Sequence, residues 1–174
     1  MKEIVLKSKR MKALFTGEEM KREILAEVPT LLQSKTNQYE LLRCISIQDH
    51  IRPNWLTDEH IKMLEDELRR KQNSYKQQDV KKGLYDENAL ISIDEIKHLL
   101  LESLLECKFC SQSVKLLYSK VREELQWTLD RIDNDIGHNR GNVEIVCLRC
   151  NLQRRRTNYD KFYFTKTMVI SKED

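Results

Sequence analysis

The chain has 174 residues, with 31 Lys or Arg against 28 Asp or Glu, 40% hydrophobic residues, 4 Gly and 2 Pro. Collagen-like, Gly/Ser-linker and Pro-rich disordered classes are excluded by that composition, and a core is affordable, since a chain of this size buries roughly 70% of its unfolded surface. A net charge of +3 decides nothing alone, so only the distribution of charge bears on partners.

Scarce Gly and Pro favour helices. Met20, Ile24, Leu25, Val28, Leu31 and Leu32 recur at 3.6-residue spacing and predict an amphipathic helix that Pro29 ends or kinks. Leu41, Leu42 and Ile45 predict a second, short helix closed before Pro53, with Cys44 as a small core residue inside it. From Leu56 to about Lys82 there is no Gly or Pro; Thr57 offers an N-cap, Ile61, Leu64, Leu68 and Tyr75 form a narrow apolar stripe, and Gly83 supplies the stop. Basic residues outnumber acidic ones seven to four from Lys62 onwards, with the excess towards Lys76, Lys81 and Lys82. A solvated face and a phosphate-facing one are both open readings of that charge. Ser92-Ile93-Asp94-Glu95 is a capping box, and Ile96, Leu99, Leu100 and Leu104 continue it as a helix from about Ile93 to Leu105. No apolar run reaches the roughly 18 to 20 residues of a membrane span, and the charged start Met1-Lys2-Glu3 is no secretory signal, so an intracellular protein without membrane attachment is expected.

Two CxxC pairs, Cys107-Lys108-Phe109-Cys110 and Cys147-Leu148-Arg149-Cys150, stand 36 residues apart. Four thiolates in two knuckles suit a closed tetrahedral zinc site. A disulfide framework suits a reducing compartment poorly, and a redox motif needs only one pair. Between the knuckles, Trp127 to Ile132 and Val143 to Val146 read as strands joined by a polar turn with Gly137 and Gly141, and Asn151 to Thr157 suits a helix. Knuckle, hairpin, knuckle and helix make a zinc-stapled ββα unit.

The strings Asp130-Arg131-Ile132-Asp133-Asn134, Gly137-His138, Asn142-Val143 and Cys147 to Asn151 resemble, in that order, the HNH endonucleases of the His-Me finger superfamily, a treble-clef zinc fold. The likeness is to phage and giant-virus members, which carry a Tyr-Lys-rich helix ending in Lys-Gly before the first CxxC, similar to Ser74-Tyr75-Lys76 through Lys82-Gly83. It covers about residues 74 to 165; nothing recognised covers residues 1 to 70. The expected architecture is therefore α+β and mostly α, with a helical region over 1–90 and a four-cysteine HNH-like domain over 91–174.

The resemblance implies metal-dependent phosphodiester hydrolysis of DNA, with Zn²⁺ structural and Mg²⁺ or Mn²⁺ catalytic. Position by position, Asp130 corresponds to the carboxylate ligand of the second metal, Asn151 to the ligand at the helix start and Asn142 to the central Asn that pins the loop. The general-base His is replaced by Arg131, which cannot accept a proton near neutral pH. Three readings follow: His138 serves as a replacement base, the metal alone supports slow cleavage, or the module only binds DNA or RNA. Each residue has a plainer reading too, with His138 an ordinary polar loop residue, Asp130 a carboxylate ordering its own hairpin and Asn142 a source of loop hydrogen bonds. A protein-interaction module, with the N-terminal helices gripping a partner, is the third functional class.

Charge is sorted at the end of the chain. From Arg149 to Lys166 six basic residues face one acidic residue, which predicts phosphate contacts by Arg149, Arg154, Arg155 and Arg156, extended by Lys76, Lys81 and Lys82. Tyr159, Phe162, Tyr163 and Phe164 are expected to pack a C-terminal strand onto the zinc unit.

Overall fold

The computed structural model describes residues 27–47 and 51–168; Met20, Ile24 and Leu25 of the first predicted helix lie outside them. After Pro29 the chain makes a 3₁₀ turn, Thr30–Gln33, which buries Leu32. Helix α1 (Lys35–Ser46) starts where the Ser34 side chain accepts a hydrogen bond from Asn37 N, and it buries Leu41 and Leu42. Helix α2 (Asp58–Lys82) is the 25-residue element predicted from the Leu56–Lys82 run. Thr57 and His60 cap its start reciprocally, and Gly83 ends it at φ 70°, a left-handed backbone that costs glycine nothing. Helix α3 (Ile93–Glu102) begins at the Ser92/Glu95 capping box.

Strands β1 (Trp127–Arg131) and β2 (Val143–Cys147) pair antiparallel, with Trp127 opposite Cys147 and Arg131 opposite Val143. The protein is thus α+β, with a small two-stranded sheet among five helices in the described residues. Helix α4 (Leu148–Arg154) follows β2 directly, its N-cap being the Cys147 sulfur that accepts from Cys150 N at 3.4 Å. Helix α5 (Tyr159–Thr167) replaces the expected C-terminal strand. Asn158 caps it through Lys161 N, and a local cap with helical spacing of Tyr159, Phe162 and Tyr163 outweighs the aromatic β-propensity. Phe162 and Tyr159 pack on Phe109 of the first knuckle, at ring-centroid distances of 4.8 and 5.5 Å.

All five residues of β1 are buried. Among the described residues one edge of β1 has no partner strand, and side chains complete the ladder there. Leu129 N donates to Tyr75 Oη of α2 at 2.9 Å, and Trp127 O accepts from Lys71 Nζ of α2. Leu129 O accepts from Asn151 Nδ2 of α4 at 3.2 Å, and Arg131 O from Arg154 Nη1 at 2.6 Å. Burial drives the Lys71 ammonium down to a pKa of about 7. The hairpin is therefore clamped between α2 and α4. One hydrophobic cluster among the described residues runs from Val28 through Leu41, Leu68, Ile96 and Trp127 to Phe162, so the described parts of the 1–90 and 91–174 regions share a core. No helix among the described residues is long and apolar enough to cross a membrane.

Candidate metal centre and basic groove

Cys107, Cys110, Cys147 and Cys150 meet where the first knuckle crosses the β2–α4 junction, and their four sulfurs lie within 4.8 Å of one another. Thiolates about 2.3 Å from a tetrahedral zinc stand about 3.8 Å apart, and the Cys110 and Cys147 sulfurs are already at 3.9 Å. The knuckle turn is closed by Ser111 N donating to Cys107 O, and Lys108 N ties it to Ile145 O of β2. The Cys107 thiolate is favoured by the Cys147 thiol and by backbone N–H groups, which draw its pKa down to about 4. Cys147 is pushed up by its bond to that thiolate, and Cys150 by burial and by the Cys107 charge, to about 12. One thiolate makes the next harder to form, so a divalent cation is what fits the complete set. The group can hold an ion such as zinc. Cys44 lies on α1, outside the cluster and half-buried against the core.

A groove of about 980 Å³ lies between α2 and the hairpin with α4. Arg70, Lys71, Lys82, Arg131, Arg155 and Arg156 line it against two acidic side chains, Asp130 and Asp135. Lys82 has its pKa lowered by burial and then by the charges of Arg131 and Arg156, a sign of how closely the cations gather. Arg155 takes φ 53° with ψ −110°, a strained backbone that ends α4 at the groove wall.

His138 is not an exposed loop residue; it is 4% exposed and lines this groove. Its Nδ1 stands 2.8 Å from Asp79 Oδ1, its backbone N donates to Asp79 Oδ2 at 2.7 Å, and its ring stacks on Tyr75 with centroids 4.5 Å apart. Its backbone O accepts from Ile91 N at 3.0 Å. Burial lowers its pKa below the usual 6.5, Asp79 opposes that, and Arg131 and Lys82 add to it. Gly137 makes the close approach possible, because a Cβ there would stand 2.5 Å from Leu84 O and 3.0 Å from Asp79 Oδ2.

Asp130 and Asn151 line the same groove. Asp130 Oδ2 is bound by Arg154 Nη1 at 2.8 Å, and burial raises its pKa against the pull of that guanidinium. Asn151 Nδ2 donates to Thr128 Oγ1 and Leu129 O. Asn142 holds the hairpin loop through Asp133 N, Asp133 O and Gly137 O. Arg131 spends Nη1 on Asn134 O and Ile136 O, bracing that loop from beneath.

Arg154 corrects the expected row of phosphate-binding arginines. It is 0% exposed, with its guanidinium used on Asp130, Arg131 O and Ile132 O, because residue 154 falls on the sheet-facing side of α4. Arg155 and Arg156, past the helix end, are exposed and line the groove with Lys82. Lys76 and Lys81 are exposed on α2 away from the groove lining, Lys76 lying over the Tyr85 ring. Arg149 bonds Gln112 Oε1 on the metal-centre side. Asp79 was missed in the sequence, though it extends the stripe Leu64, Leu68, Tyr75 by four residues and is 1% exposed. Searches of family models, curated proteins and solved structures return no match to this chain.

Proposed function

We propose that the protein binds DNA in the basic groove and hydrolyses a phosphodiester there in a metal-dependent reaction of the HNH type, on a zinc-stapled, treble-clef-like ββα unit. The observation that carries this reading is the coincidence in one cationic groove of a buried histidine whose Nε2 has no partner among the described residues, a carboxylate and a side-chain amide. The cations attract the phosphate backbone without reading sequence. Among the described residues, Asp130 Oδ1 and Asn151 Oδ1 accept no hydrogen bond, so each leaves a hard oxygen for Mg²⁺ or Mn²⁺. Arg154 already offsets the Asp130 charge, which makes that donor pair weak until a phosphate oxygen completes it. Such a cation, when bound, supplies charge to the phosphate and acidifies water. The chain's own part is proton transfer: as the water oxygen bonds to phosphorus, its proton passes to His138 Nε2, and the bridging P–O bond breaks, its oxygen taking a proton from solvent. Arg131 carries positive charge and stiffens the loop; it takes no proton.

A binding module without catalysis is the second reading, favoured by the Asp130–Arg154 pair, which supplies in protein form the positive charge a metal would bring. Either reading sets the protein to work where nucleic acid is, inside a cell or a virion. Nicking of supercoiled or branched DNA with Mg²⁺ or Mn²⁺, lost in His138→Gln, supports hydrolysis. Salt-sensitive binding with no cleavage in either metal assigns the second reading, and salt-insensitive binding rejects both.

A further inference from the structure

We propose that Asp79, which lies on α2 outside the ββα unit, is a positioning residue that makes Nε2 of His138 the proton acceptor of the groove; the proposal rests on the hydrolytic reading above. A carboxylate only accepts hydrogen bonds, so the ring nitrogen 2.8 Å from Asp79 Oδ1 carries the proton, and the neutral ring is the Nδ1–H tautomer. Its Nε2 then presents a lone pair and has no partner among the described residues, while the ring lines the groove. The other oxygen of Asp79 holds the backbone N of the same residue, so one carboxylate orients both the ring and the chain that bears it.

Three more contacts stop the ring from drifting. Tyr75, one turn before Asp79 on α2, lies against its face, and Tyr75 Oη is itself anchored by Leu129 N. Ile91 N holds the His138 carbonyl from the other side. Gly137 lets the loop press on Leu84 O, where any side chain would push it away. A ring held this way loses little freedom on reaching the transition state, which is the advantage a fixed base has over one that must swing in.

The charged groups facing the ring are Asp79 and Lys82 from α2 and Arg131 from β1, while Tyr75, stacked on its face, is kept a neutral phenol by burial. Asp79 favours the imidazolium, whereas Lys82, Arg131 and burial oppose it. Two cations and a dry setting against one carboxylate leave the imidazole neutral at neutral pH, the state that accepts a proton. In the reaction the O–P bond forms while the water proton moves to Nε2. The electron pair of the broken P–O bond leaves on the sugar oxygen, which solvent protonates, and His138 later returns its proton to solvent.

The rival explanation is a latch that merely ties the hairpin loop to α2. Two measurements on the full zinc-loaded chain separate them: long-range ¹H–¹⁵N NMR of the His138 ring, and pH–rate profiles of plasmid cleavage in Mg²⁺ for the wild type and Asp79→Asn. We expect a wild-type Nδ1–H ring with an apparent pKa below 6.5 that also governs the rate. Asp79→Asn is expected to lower kcat by roughly 10² to 10⁴-fold, the range general-base catalysis contributes, with KM little changed and the tautomer shifted towards Nε2–H. A wild-type Nε2–H ring, or an Asp79→Asn protein with unchanged kcat and pH profile, overturns the positioning role and leaves hydrolysis standing. If Asp79→Asn does not fold, the wild-type protein decides, since a rate that titrates apart from the ring overturns the role. No cleavage by a wild type with an Nδ1–H ring removes the hydrolytic reading, and the positioning role falls with it as a latch.

Discussion

Arg154 Nη1 reaches Asp130 Oδ2 at 2.8 Å, and the two side chains are 0% and 6% exposed. The same guanidinium accepts no water-facing role, because its remaining bonds go to Arg131 O and Ile132 O at the end of β1. Removing one partner of a buried pair strands the other charge, which costs about 3 to 5 kcal/mol. Arg154→Ala should therefore lower the unfolding free energy measured by urea denaturation by that order, whereas Arg156→Ala, at 86% side-chain exposure, should stay within about 0.5 kcal/mol of wild type. Equal stability of both variants, with binding lost only in Arg154→Ala, would restore Arg154 to the phosphate-contacting surface.

The exposed cations carry the opposite signature. Lys82→Ala, Arg155→Ala and Arg156→Ala should each weaken DNA binding alike for all sequences, and each should reduce the slope of log K against log salt by about one. Filter binding or fluorescence anisotropy at several salt concentrations measures it. A triple variant that binds as tightly as wild type would rule the groove out as the nucleic-acid surface.

Metal analysis of the folded protein should give one zinc per chain, held by Cys107, Cys110, Cys147 and Cys150. Chelation should unfold the knuckles and the hairpin between them, because the ion closes a unit whose sheet has only two strands. Cys147→Ser should lose the metal and Cys44→Ser should keep it. Zinc retained at full stoichiometry in Cys147→Ser would contradict the assignment.

His138 makes stability pH-dependent. Its folded pKa lies below the unfolded 6.5, so the unfolded chain binds the proton more readily. The stabilisation is complete above pH 6.5 and is lost as pH falls through the lower, folded value. Denaturation midpoints measured across that window should fall with acidification in the wild type, and His138→Gln should fall less. Parallel curves would show that the ring is not buried neutral.

Gly137→Ala tests how tightly the loop is pressed on α2. Its Cβ would meet backbone, Leu84 O at 2.5 Å, which cannot rotate away as a side chain can. A loss of about 1 to 3 kcal/mol is expected from overpacking of this kind, together with movement of the His138 ring resonances. A variant as stable as wild type with unchanged His138 shifts would mean that the loop tolerates a retreat from Leu84.

Local signals determined much of this protein. The long helix starts where Thr57 caps it and ends where Gly83 takes a left-handed backbone; the hairpin falls between the two knuckles; and the spacing of four cysteines predicted that they meet. Each depends on residues a few positions apart, or on a repeated spacing, and so is written along the chain. Partner choice across the fold is not. Nothing local distinguishes Arg154 from Arg155 and Arg156, yet the phase of α4 sends the first under the hairpin and leaves the others in the groove. Asp79 and His138 are 59 residues apart, and neither is marked by its neighbours as half of a pair. Only the docking of α2 along the unpaired edge of β1, through Lys71 and Tyr75, brings the carboxylate onto the ring. The physical reason is that unpaired backbone at that edge had to be satisfied by side chains, and which helices supply them is settled by packing of the shared core.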